Sequence, residues 1–144
     1  MILVDSSVWI DYFSGVDSQQ TNTLDRTLGS RLVAVGDLIL TEVLQGFRID
    51  KDYMTAKTLF DDLTVFDLLG KEMALKSAEN FRTLRKRGIT IRKTADVIIA
   101  SFCIDRSLPL LFSDRDFNPF VNAILANNLS AQNFTCARCK KKLD

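Results

Sequence analysis

Short runs of apolar residues alternate along this chain with longer segments in which apolar and polar positions follow a helical period. The runs are uninterrupted, which is typical of parallel strands buried on both faces. They occupy residues 2–4, 32–35, 65–68 and 108–112, and Pro109 lies at the start of the last run. We therefore predict four strands with helices between them.

The intervening segments carry apolar residues at the i, i+3, i+4, i+7 spacing of amphipathic helices. The first helix is predicted at residues 6–13 with Asp5 or Ser6 as its cap, and the last at 95–104 with Thr94 as its cap. The last is almost wholly apolar and should be buried on most sides. The three helices between them have their apolar positions at Leu40, Val43, Leu44 and Phe47, at Ala56, Leu59, Phe60 and Leu63, and at Ala74, Ala78, Phe81 and Leu84, with Gly88 ending the third.

This alternation predicts an α/β fold with a mostly parallel central sheet between two layers of helices. A chain of 144 residues, 47% hydrophobic, is long enough for one domain that buries roughly 70% of its unfolded surface. The pattern fails after Asn127, so we predict a domain at residues 1–130 and a flexible, basic, cysteine-containing tail at 131–144.

The composition favours a soluble, cytoplasmic protein. The longest apolar-rich segment, residues 95–104, is far shorter than the ~20 residues of a membrane span. The N-terminus lacks the basic region of a signal peptide and carries Asp5 too early for one. Three cysteines, an odd number, suit a reducing compartment.

Four carboxylates lie where the apolar runs begin or end. Asp5 and Asp114 each follow a predicted strand, so they should be neighbours at the edge of the sheet where ligands bind. Asp96 lies in the first turn of its helix, where the helix dipole is expected to keep it ionised. Glu42 lies about 160° from the centre of its helix's apolar stripe, so it is free to face a polar cleft. Each acid alone is better explained as a turn or cap residue, a helix-dipole partner or a surface residue, but four in one cleft would repel one another unless cations were bound.

The chain contains no histidine. This excludes Ser-His-Asp hydrolases, ribonucleases that use paired histidines and His-ligated zinc sites. Hard cations such as Mg²⁺ bind carboxylate oxygens and water, so the acids predict an all-oxygen metal site.

Positive charge is concentrated in two segments, although the net charge is only +1. The first leads directly into Asp96, which places cations beside the predicted acids, where phosphate can be held. A solvated helix face and a solubilising tail are the plainer explanation. The two segments contain Arg82, Arg85, Lys86, Arg87, Arg92 and Lys93, and Arg138, Lys140, Lys141 and Lys142; of these, Arg85, Arg87, Arg92 and Lys93 are candidates for contacts to an RNA backbone.

Each predicted site acid lies within a characteristic motif. The motifs are LVDSSVWIDYF at residues 3–13, LTEVLQG at 40–46, RKTADVIIA at 92–100 and LLFSDRDF at 110–117. Together they resemble the PIN domain and, more closely, the VapC toxins of bacterial VapBC toxin–antitoxin pairs. The resemblance covers roughly residues 1–125, and four motifs in order are far more specific than any one alone.

The resemblance implies a PIN-like three-layer α/β/α fold and an endoribonuclease that depends on Mg²⁺ or Mn²⁺. A carboxylate-held metal can promote phosphodiester cleavage, and without imidazole as a general acid, metal-bound water must protonate the leaving 3′ oxygen, which predicts 5′-phosphate and 3′-hydroxyl ends. The resemblance also implies a homodimer that is inhibited by a VapB antitoxin. The family's catalytic and metal-binding acids correspond to Asp5, Glu42, Asp96 and Asp114, Asp116 matches a frequent extra acid, and Ser6 matches a hydroxyl position near the metal.

Other functions are weaker alternatives. A PIN-like module that binds RNA or protein without cleaving is the main one, and the presence of all four acids argues against it. A phosphatase of the haloacid dehalogenase type needs a second acid where this chain has Ser7, and a receiver domain needs an early acidic pair that Asp5 lacks. Trp9 and Tyr12 are open to stacking on RNA bases, although packing on the core explains them better.

The cysteine pair Cys136 and Cys139 lacks the second pair of a zinc site within one chain. A zinc site shared between two chains, or a redox-sensitive pair, stays open. The sequence shows no base-specific pocket and leaves open the RNA target and the choice between Mg²⁺ and Mn²⁺.

Overall fold

A computed structural model describes residues 1–30 and 32–120 and the backbone of a strand at 134–136. Strands and helices alternate along most of this length, as the apolar pattern predicts. The elements are β1 (Ile2–Val4), α1 (Ser6–Phe13), α2 (Gln19–Leu28), β2 (Val33–Gly36), α3 (Asp37–Gln45), α4 (Asp50–Asp61), β3 (Thr64–Phe66), α5 (Lys71–Lys86), α6 (Thr94–Arg106), β4 (Leu110–Phe112), a 3-10 turn (Arg115–Phe117) and β5 (Phe134–Cys136).

The five strands form one sheet in the order β3-β2-β1-β4-β5, and every pairing is parallel. Helices flank this sheet, so the predicted three-layer α/β/α fold is confirmed. The fifth strand begins beyond residue 130, where the domain was predicted to end, and that boundary stays a prediction. Predictions about the side chains of the cysteine-containing tail lie outside the described residues.

The third and fourth strands differ from the predicted ranges because backbone groups at their ends bond elsewhere. The chain leaves the sheet after Phe66, and the Leu68 N–H donates to Asp37 Oδ1 at 3.0 Å. The Leu108 N–H donates to the Cys103 carbonyl at 2.9 Å, which extends the end of α6, so β4 begins only at Leu110. The strand β2 is shifted by one residue and ends at Gly36.

The helix α2 was not predicted. Its capping box, in which Ser18 and Thr21 exchange side-chain and backbone hydrogen bonds, fixes its start. Only Thr21 and Leu24 are buried along its length. Leu24 and Leu28 are the apolar residues among the ten of this helix, so it lacks the i, i+3, i+4, i+7 apolar pattern from which the other helices were predicted.

Trp9 packs in the core, as the plainer of its two explanations predicted. It is fully buried, and its ring centroid lies 4.7 Å from that of Phe60. Tyr12 is half-buried, and its hydroxyl donates to Asp25 Oδ1 at 3.3 Å. Trp9 is therefore not available to stack on RNA bases.

The predicted apolar face of α5 was partly wrong. Leu84 is buried, but Ala74 and Ala78 are exposed, and the side chains that face the core are instead Met73 and Ser77. Alanine is small enough to lie on either face of a helix, so its position in an apolar pattern carries little information.

The helix α6 is buried along Asp96 to Cys103, as predicted. Thr94 is its first residue rather than its cap; Lys93 holds the cap position, and no described side chain caps the backbone there. Among the described residues, no helix is long and apolar enough to cross a membrane.

Candidate metal centre

The predicted acids meet at the carboxyl ends of the central strands. Asp5 follows β1 and Asp114 lies just past β4, and these two strands are direct parallel neighbours. The Asp5 N–H donates to the carbonyl of Leu111 at 2.9 Å, which ties the two strand ends together. The strand ends that carry Asp5 and Asp114 are therefore adjacent, as predicted.

Asp5 uses one carboxylate oxygen to hold its own helix, and the described residues give the other oxygen no hydrogen bond. Its Oδ2 accepts hydrogen bonds from the backbone N–H of Ser7, at 3.0 Å, and from the Ser7 hydroxyl, so Asp5 caps α1. Its Oδ1 is buried and has no hydrogen-bond partner within the described ranges. Burial raises the pKa of Asp5, against the lowering effect of the bonds from Ser7.

Three further carboxylates form a cluster beside it. One oxygen from each of Asp96, Asp114 and Asp116 lies within 4.8 Å of the other two. Asp114 caps the 3-10 turn through Oδ1, which accepts from the Asp116 N–H at 2.9 Å. Asp96 is 5% exposed, and its Oδ2 lacks a partner in the part of the chain that the structure describes. Asp116 therefore belongs with the predicted acids in space.

The expectation that the helix dipole keeps Asp96 ionised was wrong for the protein without a cation. Burial, followed by repulsion from Asp5, raises the pKa of Asp96 to about 7. Lys93 lowers that pKa, while Asp114 and Asp116 raise it further. Desolvation and neighbouring negative charge thus outweigh the partial charge at the start of the helix.

Glu42, on α3, lies on the side of the site formed by Ser6 and Asp5. The Ser6 hydroxyl donates to Glu42 Oε2 at 2.7 Å. The negative charge of Glu42 is among the causes that raise the pKa of Asp5, so the two carboxylates lie close enough to interact. Ser6, predicted as a supporting hydroxyl, orients Glu42.

The predicted RNA-binding cations occupy two different surroundings. Lys93 Nζ lies 3.4 Å from Asp114 Oδ2, and Arg92 lies 3.8 Å from Asp116. Arg85 instead lies over the ring of Phe81, 5.5 Å from its centroid. Arg87 is the C-cap of α5. No contact to RNA follows from these positions, and that role stays a prediction.

Ser7 is a site residue that sequence reasoning missed as part of the centre. Besides holding Asp5, its Oγ accepts from the Ser113 N–H at 3.4 Å, so it joins the ends of β1 and β4. The sequence did contain a signal for this role: Ser7 lies two residues after a capping aspartate, where its backbone N–H and its hydroxyl can both reach the carboxylate.

Comparison with known proteins gives the family. The model of the PIN domain family matches residues 2–120. The chain belongs to the PIN domain family. Ribonuclease VapC11 of Mycobacterium tuberculosis is 27% identical over 136 residues, which cover 93% of this chain and 99% of that protein.

Two solved structures share the PIN domain fold. A toxin–antitoxin complex from Klebsiella pneumoniae has a TM-score of 0.67 at 15% identity, covering 95% of this chain and 98% of its own. VapBC2 from Rickettsia felis, bound to a DNA fragment from its promoter, has a TM-score of 0.65 at 18% identity, covering 82% and 92%. At these identities the likeness establishes the fold alone.

The acids of this PIN domain are chemically suited to a hard divalent cation. The donors are all carboxylate oxygens, which Mg²⁺ and Mn²⁺ accept. Asp5 Oδ1 and Asp96 Oδ2 are buried without a hydrogen-bond partner among the described residues, and a bound cation would satisfy both. A cation would also offset the repulsion that raises the pKa of Asp96.

The buried thiol of Cys103 takes no part in this chemistry. Burial, and secondarily the charge of Asp5, raise the pKa of Cys103 far above its ordinary value. A thiol that stays protonated is a poor metal ligand and nucleophile. The centre is therefore an oxygen site.

Proposed function

We propose that this PIN domain is an endoribonuclease of the VapC toxin type, dependent on Mg²⁺ or Mn²⁺. It hydrolyses RNA phosphodiester bonds to 5′-phosphate and 3′-hydroxyl ends. The observation that carries the proposal is the carboxylate cluster at the carboxyl ends of β1 and β4, with two buried oxygens that lack partners within the described chain. The names of its curated relatives support the choice of RNA as substrate.

Asp5, Asp96 and Asp114 would hold the metal, with Asp116 completing the cluster and Glu42 serving a second metal or the attacking water. When bound, Mg²⁺ or Mn²⁺ makes water acidic enough to act as a nucleophile and neutralises charge on the phosphate. The protein's own contribution is orientation. Ser7 fixes Asp5, and Ser6 fixes Glu42 so that its carboxylate can accept a proton from the attacking water.

Lys93 would have two successive partners. In the protein without a cation it pairs with Asp114, and attraction from Asp96 and Asp114 raises its pKa. A divalent cation that takes these carboxylates would leave the ammonium of Lys93 beside the RNA backbone. Arg92 pairs with Asp116, and a cation that takes this carboxylate would likewise leave the guanidinium of Arg92 beside the RNA backbone.

The toxin assignment includes partners and a compartment. We propose a VapB-type antitoxin as inhibitor, a homodimer as the working form and the cytoplasm as the location, where cellular RNA is accessible. The structural neighbours are toxin–antitoxin complexes, which supports the first of these. We also propose that residues 1–130 contain the catalytic part of the PIN domain and that the basic segment 131–144 follows it and contributes the edge strand β5.

The test is RNA cleavage by the purified wild type and by Asp96→Asn, with Mg²⁺, Mn²⁺ or a chelator. Total bacterial RNA is the substrate, and the ends of the products are mapped. Asp67→Asn is the matched control, because Asp67 is an exposed acid outside the cluster. Discrete cuts with 5′-phosphates by the wild type and Asp67→Asn, only with metal, are expected.

Cuts by Asp96→Asn, or products ending in a cyclic 2′,3′-phosphate, would contradict the mechanism. RNA that is retained by the wild type without any new ends, whether or not a chelator is present, would identify a binding module instead of a nuclease. Protein purified under denaturing conditions and refolded excludes masking of the centre by an antitoxin.

A further inference from the structure

A cavity lies between α5 and α6, on a different side of α6 from the acids. It has a volume of about 530 Å³, within the range of small-molecule sites. Its apolar lining comes from both helices and from the segments that precede them. The lining includes Leu69, Ala78, Phe81, Ile91, Val97 and Ile98.

The cavity explains why part of the predicted core face of α5 is not in the core. Ala74, Ala78 and Phe81 were predicted to be buried together, yet both alanines are exposed and all three line the cavity. The small alanine side chains keep the space between the helices open. An apolar stripe that the fold leaves uncovered is a common feature of a binding surface.

Two arginines line this apolar cavity, and one of them is stacked on an aromatic ring. Arg82 and Arg85 line it, whereas no acid is among the described residues that do. The guanidinium of Arg85 lies over the ring of Phe81, 5.5 Å from its centroid. A guanidinium held over an aromatic ring offers a flat surface on which a base of single-stranded RNA can stack.

A buried hydroxyl adds a polar feature. Ser77 lines the cavity and is 6% exposed, and its Oγ has no hydrogen-bond partner in the described part of the chain. Buried hydroxyls are ordinarily hydrogen-bonded, so a ligand atom that reaches the Ser77 hydroxyl would supply the bond that it lacks. A hydroxyl both donates and accepts, which suits the edge of a base.

The cavity lies next to the carboxylate cluster through the first turn of α6. Thr94, Val97 and Ile98 line it from one face of the helix, while Asp96 points to the cluster from another. An α-helix with its side chains is only about 10 Å across, so the two sites are within one or two nucleotides of each other. Lys93, which pairs with Asp114, directly precedes this turn.

We propose that the cavity binds one base of the RNA substrate, close to the phosphate that is cut. The inference rests on the proposed ribonuclease function and extends it to a base subsite. Apolar walls and the Arg85–Phe81 stack hold the faces of the base, the Ser77 hydroxyl bonds its edge, and Arg82 contacts the adjoining phosphate. This subsite would give the enzyme a preference at one position beside the cut.

The experiment compares two fluorescent hexaribonucleotides, one with random bases and one abasic, of equal length and charge. Binding is measured by anisotropy with chelator present, so that no cleavage occurs. Ala78→Leu fills the cavity with a side chain at an exposed helix position, and Ala74→Leu does so from a neighbouring position. Thr83→Leu is the matched control, since Thr83 is exposed on the same helix and does not line the cavity.

The wild type and Thr83→Leu should bind the base-bearing probe about ten-fold more tightly than the abasic probe, the scale of one base stacked on a protein side chain. Ala78→Leu and Ala74→Leu should lose this preference and keep their affinity for the abasic probe. Equal preference in all four proteins would overturn the proposal. So would unchanged RNA binding in Ala78→Leu together with lost binding of a protein partner, which would make the cavity a protein-docking groove.

The two proposals fail in different ways. A protein that cuts RNA but binds both probes equally is a nuclease without this base subsite. A protein that prefers the base-bearing probe through the cavity but never cuts RNA has the subsite and is not a nuclease.

Discussion

Replacing Asp96 by asparagine should stabilise the fold while it destroys the metal centre. Asp96 is buried, and desolvation followed by repulsion from Asp5 raises its pKa to about 7. Asp114 and Asp116 raise this pKa further, and Lys93 lowers it. The pKa of Asp96 in the unfolded chain is about 3.9, and each unit of difference is worth about 1.36 kcal/mol. Ionising Asp96 in the folded protein without a cation therefore costs about 4 kcal/mol.

The sign of the pH dependence follows from this difference. Between about pH 4 and pH 7 the folded protein keeps the proton on Asp96 that the unfolded chain has lost, so the stability of the wild type falls as the pH rises. Asparagine does not titrate. A buried amide has its own desolvation cost of roughly 1 to 3 kcal/mol if poorly bonded, and this cost does not change with pH. We therefore expect Asp96→Asn to be more stable than the wild type by about 1 to 3 kcal/mol above pH 7 and less stable by about 1 to 3 kcal/mol below pH 4.

Urea unfolding followed by circular dichroism, in the presence of a chelator and between pH 4 and 8, measures this difference. Asp67→Asn, at an exposed acid, should stay within about 0.5 kcal/mol of the wild type at every pH. Mg²⁺ should then stabilise the wild type and leave Asp96→Asn unchanged, because only the intact cluster binds it. An Asp96→Asn protein that is less stable than the wild type at pH 8 without metal would refute the reasoning.

Four further predictions follow from individual contacts. Ser7→Ala, which frees Asp5, should weaken Mg²⁺ binding about ten-fold in a calorimetric titration, whereas Ser7→Thr, which retains the hydroxyl, should not. Lys93→Gln should raise KM for RNA several-fold and change kcat little, and steady-state kinetics on a labelled RNA would show the opposite split if Lys93 acted on the chemical step. Gly36→Ala should lower the free energy of unfolding by about 1 to 3 kcal/mol, because the added Cβ would lie 2.2 Å from the side chain of buried Leu68; denaturant unfolding that matches the wild type would contradict this. Cys103 should resist thiol reagents in the native protein and react only in denaturant, and modification without unfolding would disprove its burial.

The sequence predicted the sheet well because buried parallel strands are uninterrupted apolar runs. Residues 2–4 and 110–112 are such runs, and the rule that ligands bind at the carboxyl ends of parallel strands then placed Asp5 beside Asp114. Helix α2 was not predicted, because its start depends on the hydrogen bonds of Ser18 and because few of its residues are apolar. The end of β3 was misplaced because it depends on a residue far away in the sequence: the Leu68 N–H donates to the Asp37 side chain instead of continuing the strand.

The site was predicted in its residues but not in its electrostatics. The pKa of Asp96 depends on its burial and on the positions of Asp5 and Lys93, and none of these can be read from one residue's place in a helix. Likewise, Ala78 counts as apolar in a periodic pattern whether it faces the core or a cavity. Sequence periodicity identifies which side of a helix is apolar, and only the packing of its neighbours determines whether that side is covered.

The double use of Asp5 restricts which residue can stand at the end of β1. One oxygen caps α1 through the Ser7 N–H while the other is left for a cation, so the carboxylate must lie one methylene from the backbone. A glutamate would carry the charge but reach past the cap, and an asparagine would keep the cap without the charge. Nuclease-dead forms that still fold are therefore one substitution away from the active protein, and among common residues only aspartate meets both demands.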